Sequence, residues 1–163
     1  MRANLHRLVF LLCLCLWATS AGAAVTVSFV HPEDYTDIGT YRGEPNAAMK
    51  EIAAFLKQLG ARYLPPGQLL KIQVLDVNLA GSLRYSSRAP FGVRILRGEA
   101  DWPSVRLHYV LEQDGRILAD RQEYIADVDY LEHPAGPYSD EPLSYEKQML
   151  DHWFRLRFQA HQR

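Results

Sequence analysis

Four arginines fall within fourteen residues, Arg84, Arg88, Arg94 and Arg97, beside Tyr85, Phe91 and Trp102. A guanidinium offers a planar fork of N–H donors. Several of them next to aromatic rings suit phosphate, a carboxylate-bearing glycan or an acidic partner. The plainer reading is a loop whose arginines pair with the acidic stretch 127–141. Asp76 and Asn78 stand two apart in a strongly apolar run. On a strand both point to one face. They can wall a site, with Asp76 as acid, base or ligand, or they can bond to backbone and a neighbouring loop. Asp127, Asp129, Glu132 and His133 make a third group. Oxygen donors at alternate positions suit Ca²⁺ or Mg²⁺, and the histidine suits a transition metal. The spacing matches no standard metal loop, and most charge runs are solvated.

Other chemistry is thinner. The motifs G-x-S-x-G, S-x-x-K and H-E-x-x-H are read as absent, and there is no Gly-rich phosphate loop. Cys13 and Cys15 are the only cysteines. Beyond them the chain can form no disulfide, thiol nucleophile or thiolate zinc site. Net charge is −1, or −3 without Arg2 and Arg7, so no basic excess points to nucleic acid.

The first 24 residues explain the cysteines. Arg2 and Arg7 precede the apolar run Leu8 to Trp17, and small residues follow from Ala18 to Ala24. This predicts a signal peptide over 1–24, cut after Ala23 or Ala24. The apolar run is about half the ~20 residues a spanning helix needs, so no transmembrane segment is expected. A cysteine-free exported domain points to a bacterial periplasm.

Residues 25–163 then form one domain, whose elements must position these groups. Val25 to Val30 alternates as a strand. Pro45 opens a helix with Ala48, Ile52, Phe55, Leu56 and Leu59 on one face, and Gly60 is read as its stop. A strand runs from Leu69 to Ala80, with a bulge near Leu75-Asp76 resetting its phase. Residues 82–104 read as irregular, with a short strand at 93–96. A hairpin turns at Asp114-Gly115 and sets Arg106 opposite Glu123. A loop spans 127–142. A last helix runs to about Gln159, with Met149, Leu150, Trp153 and Leu156 along one side. The order predicts an α+β fold, a mainly antiparallel sheet with two helices packed on one face. Trp102, Trp153, Tyr109, Tyr124 and Tyr130 can line a groove, although Trp153 and Tyr109 fit the core better.

Three segments resemble a known family. They are Phe29-Val30-His31-Pro32-Glu33-Asp34-Tyr35-Thr36-Asp37-Ile38, the run from Leu64-Pro65-Pro66-Gly67 to Ala80-Gly81, and Tyr145-Glu146-Lys147-Gln148-Met149-Leu150-Asp151-His152-Trp153-Phe154. Together they resemble the exported proteobacterial family catalogued as domain of unknown function 3016. Asn78 stands where that pattern has a second acidic residue, which weakens any scheme needing two carboxylates there. The resemblance implies a bacterial envelope setting and brings no activity.

The reading is therefore a non-catalytic periplasmic binding or assembly module. Its expected contacts are Arg84, Tyr85, Arg88, Phe91, Arg94, Arg97 and Trp102, with Asp76 and Asn78. No cofactor is expected. The expected partner is an envelope protein or an anionic envelope component. Two alternatives stand beside it: a metal-assisted hydrolase using Asp76, Asp127, Asp129 and His133, and a structural subunit using an exposed sheet edge.

Overall fold

The computed structural model describes residues 22–39, 46–133 and 136–159, and their side chains except those of 89–91. Most of the leader, Pro45, Pro134 and His161 lie outside these residues. Along the chain run β1 Ala24–Phe29, α1 Ala47–Tyr63, β2 Gln68–Asn78, β3 Ser82–Ser86, β4 Ala89–Ile95, β5 Ser104–Gln113, β6 Arg116–Ala126 and α2 Ser144–Phe154. A π-helical turn, Arg155–Gln159, continues α2. The main sheet has the order β1-β2-β5-β6. β1 runs parallel to β2 and the other neighbours are antiparallel. The parallel pair requires a crossover, and α1 supplies it. This is the expected α+β fold. Among the described residues no helix is long and apolar enough to cross a membrane.

The core follows from alternation. Val25, Val27 and Phe29 of β1 lie beside Leu70, Ile72 and Val74 of β2, which pair with Leu111, Tyr109 and Leu107 of β5. Both helices cover that face. Ala48, Ile52, Phe55, Leu56 and Leu59 of α1 are buried, as are Met149, Leu150, Trp153 and Phe154 of α2. The expected bulge is present: the register of β2 against β5 shifts between Val74 and Asp76. Leu75 takes up the extra step, and Val77 returns to the core face, fully buried.

Four expectations need correction. Gly60 does not stop α1, which runs on to Tyr63. The stop is Leu64, extended at ψ 137° before Pro65, where a helical conformation is disfavoured. Residues 82–95 hold two strands, β3 and β4, paired in a separate sheet. The Asp114-Gly115 turn is correct, with φ of 50° and 74°, the mirror-type turn that suits tight hairpins. A second bulge at Leu118 then shifts the pairing, so Arg106 faces Tyr124 and Glu123 faces Leu107. Arg106 lies over the Tyr124 ring, 6.0 Å from its centre. Lastly, Leu156 is 59% exposed and Phe158 is buried instead. The π turn adds a residue per turn and rotates the apolar stripe.

Gly60 has a different role. It is buried against β1, and a Cβ there would overlap Val25 Cγ2 well inside van der Waals contact. Helix propensity alone makes Gly→Ala stabilising by about 1 kcal/mol. Overpacking against the stiff, β-branched Val25 opposes it. Gly60→Ala is expected to lower stability by about 1–3 kcal/mol in urea unfolding. A stabilised variant would show that α1 and β1 can separate freely.

Candidate functional site

The arginine segment is an arm. After β2 the chain turns at Gly81, φ 75°, where a Cβ would meet the Ile95 carbonyl oxygen at 2.7 Å. β3 and β4 then pair with each other, outside the main sheet. Arg94 ties the arm down. Its Nη1 donates to the carbonyls of Leu79, Ala80 and Gly81 at 3.4, 3.2 and 2.9 Å, and its Nη2 donates to Asp37 Oδ2 at 2.9 Å. Asp37 is itself held beside the end of β2. Its N–H donates to Val77 O at 2.9 Å, and its carbonyl accepts from Leu79 N–H at 3.0 Å. One guanidinium thus satisfies carbonyls left over where a strand ends and joins three segments.

The other arginines are displayed. Arg84, Arg88 and Arg97 are exposed, and none forms an ion pair among the described residues. Tyr85 is 64% exposed. Arg84 sits opposite Val93, and Ser82 opposite Ile95, so Arg84, Val93 and Ile95 share one face. Val93 and Ile95 are exposed too. The chain has no acidic residue from 77 to 98, so nothing on the arm neutralises them. Phe91 lies on β4, with its side chain outside the described residues. Trp102 is half-buried at the arm's return to the sheet.

Asp76 and Asn78 stand at the base as fasteners. Asp76 accepts from Thr36 N–H at 2.8 Å and from Thr36 Oγ1 at 2.9 Å. Asn78 Nδ2 donates to Trp102 O at 3.0 Å. The acidic run does not gather around one point. His133 Nδ1 and Asp127 Oδ1 approach to 3.8 Å. Among the described residues, the group of three metal-type donors within 4.8 Å of one another is His31, Glu33 and Asp34, all exposed. Tyr130, fully buried between these acids, donates to Asp101 Oδ1 at 3.0 Å. Asp101 also accepts from the backbone N–H groups of Arg97 and Gly98. The segment therefore closes the arm's second base.

Some residues escaped the sequence reading. Glu146 lies on the apolar stripe of α2 with Met149, Leu150 and Trp153, and a carboxylate at that phase was the available signal. It is buried and accepts Ala80 N–H at 2.7 Å, directly under the arm. Burial pushes its carboxyl above the ordinary range, against the opposing pull of the Ala80 N–H and Arg94. Ser144-Tyr145-Glu146-Lys147 has the S-x-x-K spacing of a serine–lysine pair, which corrects the expectation that this motif is absent. Lys147 Nζ donates to Glu51 and Glu141. Burial disfavours its charge, but the two carboxylates outweigh that and raise its pKa. It stays an ammonium and offers no free amine as a base.

Two predictions follow from the base of the arm. Arg94→Ala leaves three carbonyls and Asp37 without their donor and is expected to cost about 2–4 kcal/mol. Arg88→Ala is expected to stay within about 0.5 kcal/mol. Chemical denaturation of both variants checks the contrast. For Glu146, the folded state holds its proton more tightly than the unfolded chain does. The resulting stabilisation is complete below the unfolded carboxyl's pKa and is lost as pH rises through the raised folded value. Glu146→Gln keeps the acceptor and removes the charge. It is expected to raise stability at neutral pH and to abolish this loss, as read by urea unfolding across pH about 4 to 7.

The site can thus be compared with known proteins. No curated protein and no solved structure matches the chain. A family model described as "Protein of unknown function (DUF3016)" matches residues 23–156, which takes in β1, α1, the arm, the whole sheet and α2. The chain belongs to the DUF3016 family.

Proposed function

We propose that this protein is a non-catalytic binding module of the bacterial cell envelope, exported to the periplasm and contacting an anionic envelope component through its arm. One observation carries the reading. The arm stands outside the main sheet, is tied at its base by Arg94, and presents Arg84, Arg88 and Arg97 with no carboxylate partner among the described residues. A preorganised arm loses little conformational freedom when a ligand binds. Exposed Tyr85, Val93 and Ile95 add apolar area beside the charges. The periplasmic setting rests on the basic start, short apolar run and Ala-Gly-Ala end of residues 1–24.

The test separates display from anchoring. The triple variant Arg84→Ala/Arg88→Ala/Arg97→Ala leaves Arg94 in place. Vesicles of phosphatidylglycerol serve as the anionic probe, with neutral phosphatidylcholine vesicles as control. Wild type is expected to bind the anionic vesicles at low salt and to release them as salt rises, because exposed charges are screened over about 8 Å at physiological ionic strength. The triple variant is expected to lose binding with an unchanged melting temperature. Equal binding by both proteins would remove the arm as the contact.

A further inference from the structure

β6 is an edge strand, and its free side can be read from one bond. Asp127 N–H donates to Pro103 O at 3.2 Å, in line with the β5–β6 pairing of Ala126 with Ser104. Hydrogen-bonded pairs alternate along an antiparallel ladder. Beyond the Leu118 bulge, the odd positions of β6 therefore bond to β5. Asp120, Gln122, Tyr124 and Ala126 turn their N–H and C=O groups outward, and no strand among the described residues meets them. Unguarded edges invite pairing, and protected ones carry proline, lysine or inward charges. β6 has neither proline nor lysine; its bulge, at Leu118, lies before the row from Asp120 to Ala126, and its one inward charge, Glu123, is held by Trp153 and Arg157. Ile117, Leu118 and Tyr124 on it are 63%, 53% and 58% exposed. Beside it, between β6 and α2, runs a cleft of about 670 Å³ reaching Asp129. A hollow of about 290 Å³ continues it to Leu118.

We infer that β6 docks a second copy of this chain, edge to edge and antiparallel, with the two-fold axis at Gln122. The choice of occupant rests on charge. β6 carries Arg116, Asp120, Arg121 and Glu123, two of each sign, so two copies do not repel. A two-fold axis perpendicular to the sheet keeps each face on its own side, so the axis must fall on a residue. At Asp120 two carboxylates meet, and at Arg121 two guanidiniums meet. At Gln122, Arg121 of each copy faces Glu123 of the other, and the two Gln122 residues face each other. Glu123 is mostly buried and already bonded, and one of its oxygens carries a single long bond. Trp153 Nε1 and Arg157 Nε both donate to its Oε2 at 2.9 Å, while Oε1 accepts only Tyr109 O–H at 3.3 Å among the described residues. Gln122 also brings an outward N–H and C=O, so the axis lies on a hydrogen-bonded pair.

Sedimentation velocity on the full chain, from micromolar to near-millimolar protein, tests this. Wild type is expected to show a concentration-dependent monomer–dimer equilibrium. Arg121→Glu sets like charges opposite each other twice and is expected to weaken the dimer about tenfold without changing the melting temperature at low, monomeric concentration. Gln122→Pro removes an outward N–H but no bond to β5, a position where an edge strand tolerates proline, and is expected to abolish the dimer. A wild type that stays monomeric overturns the inference, whether or not β6 then takes a strand of another protein. A dimer unaffected by Arg121→Glu overturns it as well.

Discussion

The arm of this chain depends on one guanidinium. β2 ends at Asn78, and among the described residues no neighbouring strand offers donors to the carbonyls of the next three residues. Buried carbonyls without donors are costly. Arg94 comes back from β4 and supplies the donors, and Asp37 balances its charge. From below, Glu146 takes the Ala80 N–H. The arm's direction is set by these contacts. Its own strands make a two-stranded ribbon, which on its own is marginal in water.

The same economy governs the sheet. Two bulges, at Leu75 and Leu118, decide which side chains face the helices. The first returns Val77 to the core. The second turns Glu123 inward, where Trp153, Tyr109 and Arg157 bond to it. Without the second shift Glu123 would face solvent beside Arg106, and the indole N–H under β6 would lack its acceptor. Edge-strand chemistry and core packing are thereby linked at one carboxylate.

Much of this was legible in the residues. The α+β order, the face of α1, the Leu75 bulge and the Asp114-Gly115 turn each have a local cause: apolar spacing, a phase conflict or a residue that accepts positive φ. What was not legible came from elsewhere in the chain. Gly60 reads as a helix stop, but it is small because Val25 lies against it. The Leu118 bulge leaves no local trace, so the hairpin register was one residue out. Arg94 is indistinguishable in type from Arg84, Arg88 and Arg97. Only the fold shows that it anchors while the others are displayed. The acidic run looked like a ligand set because its charges are close in sequence, while Asp129 and Glu132 enter no group of three with Asp127 and His133.

The account turns on Arg94 holding the arm as a rigid extension of the sheet, and ¹⁵N relaxation of the backbone amides measures this most directly. Order parameters for Arg84, Tyr85 and Val93 near the rigid value of about 0.85, matching those of β2 and β5, are the predicted result. Values below about 0.6 on the arm, with the sheet still rigid, would mean that the arm moves freely despite Arg94 and would contradict the account.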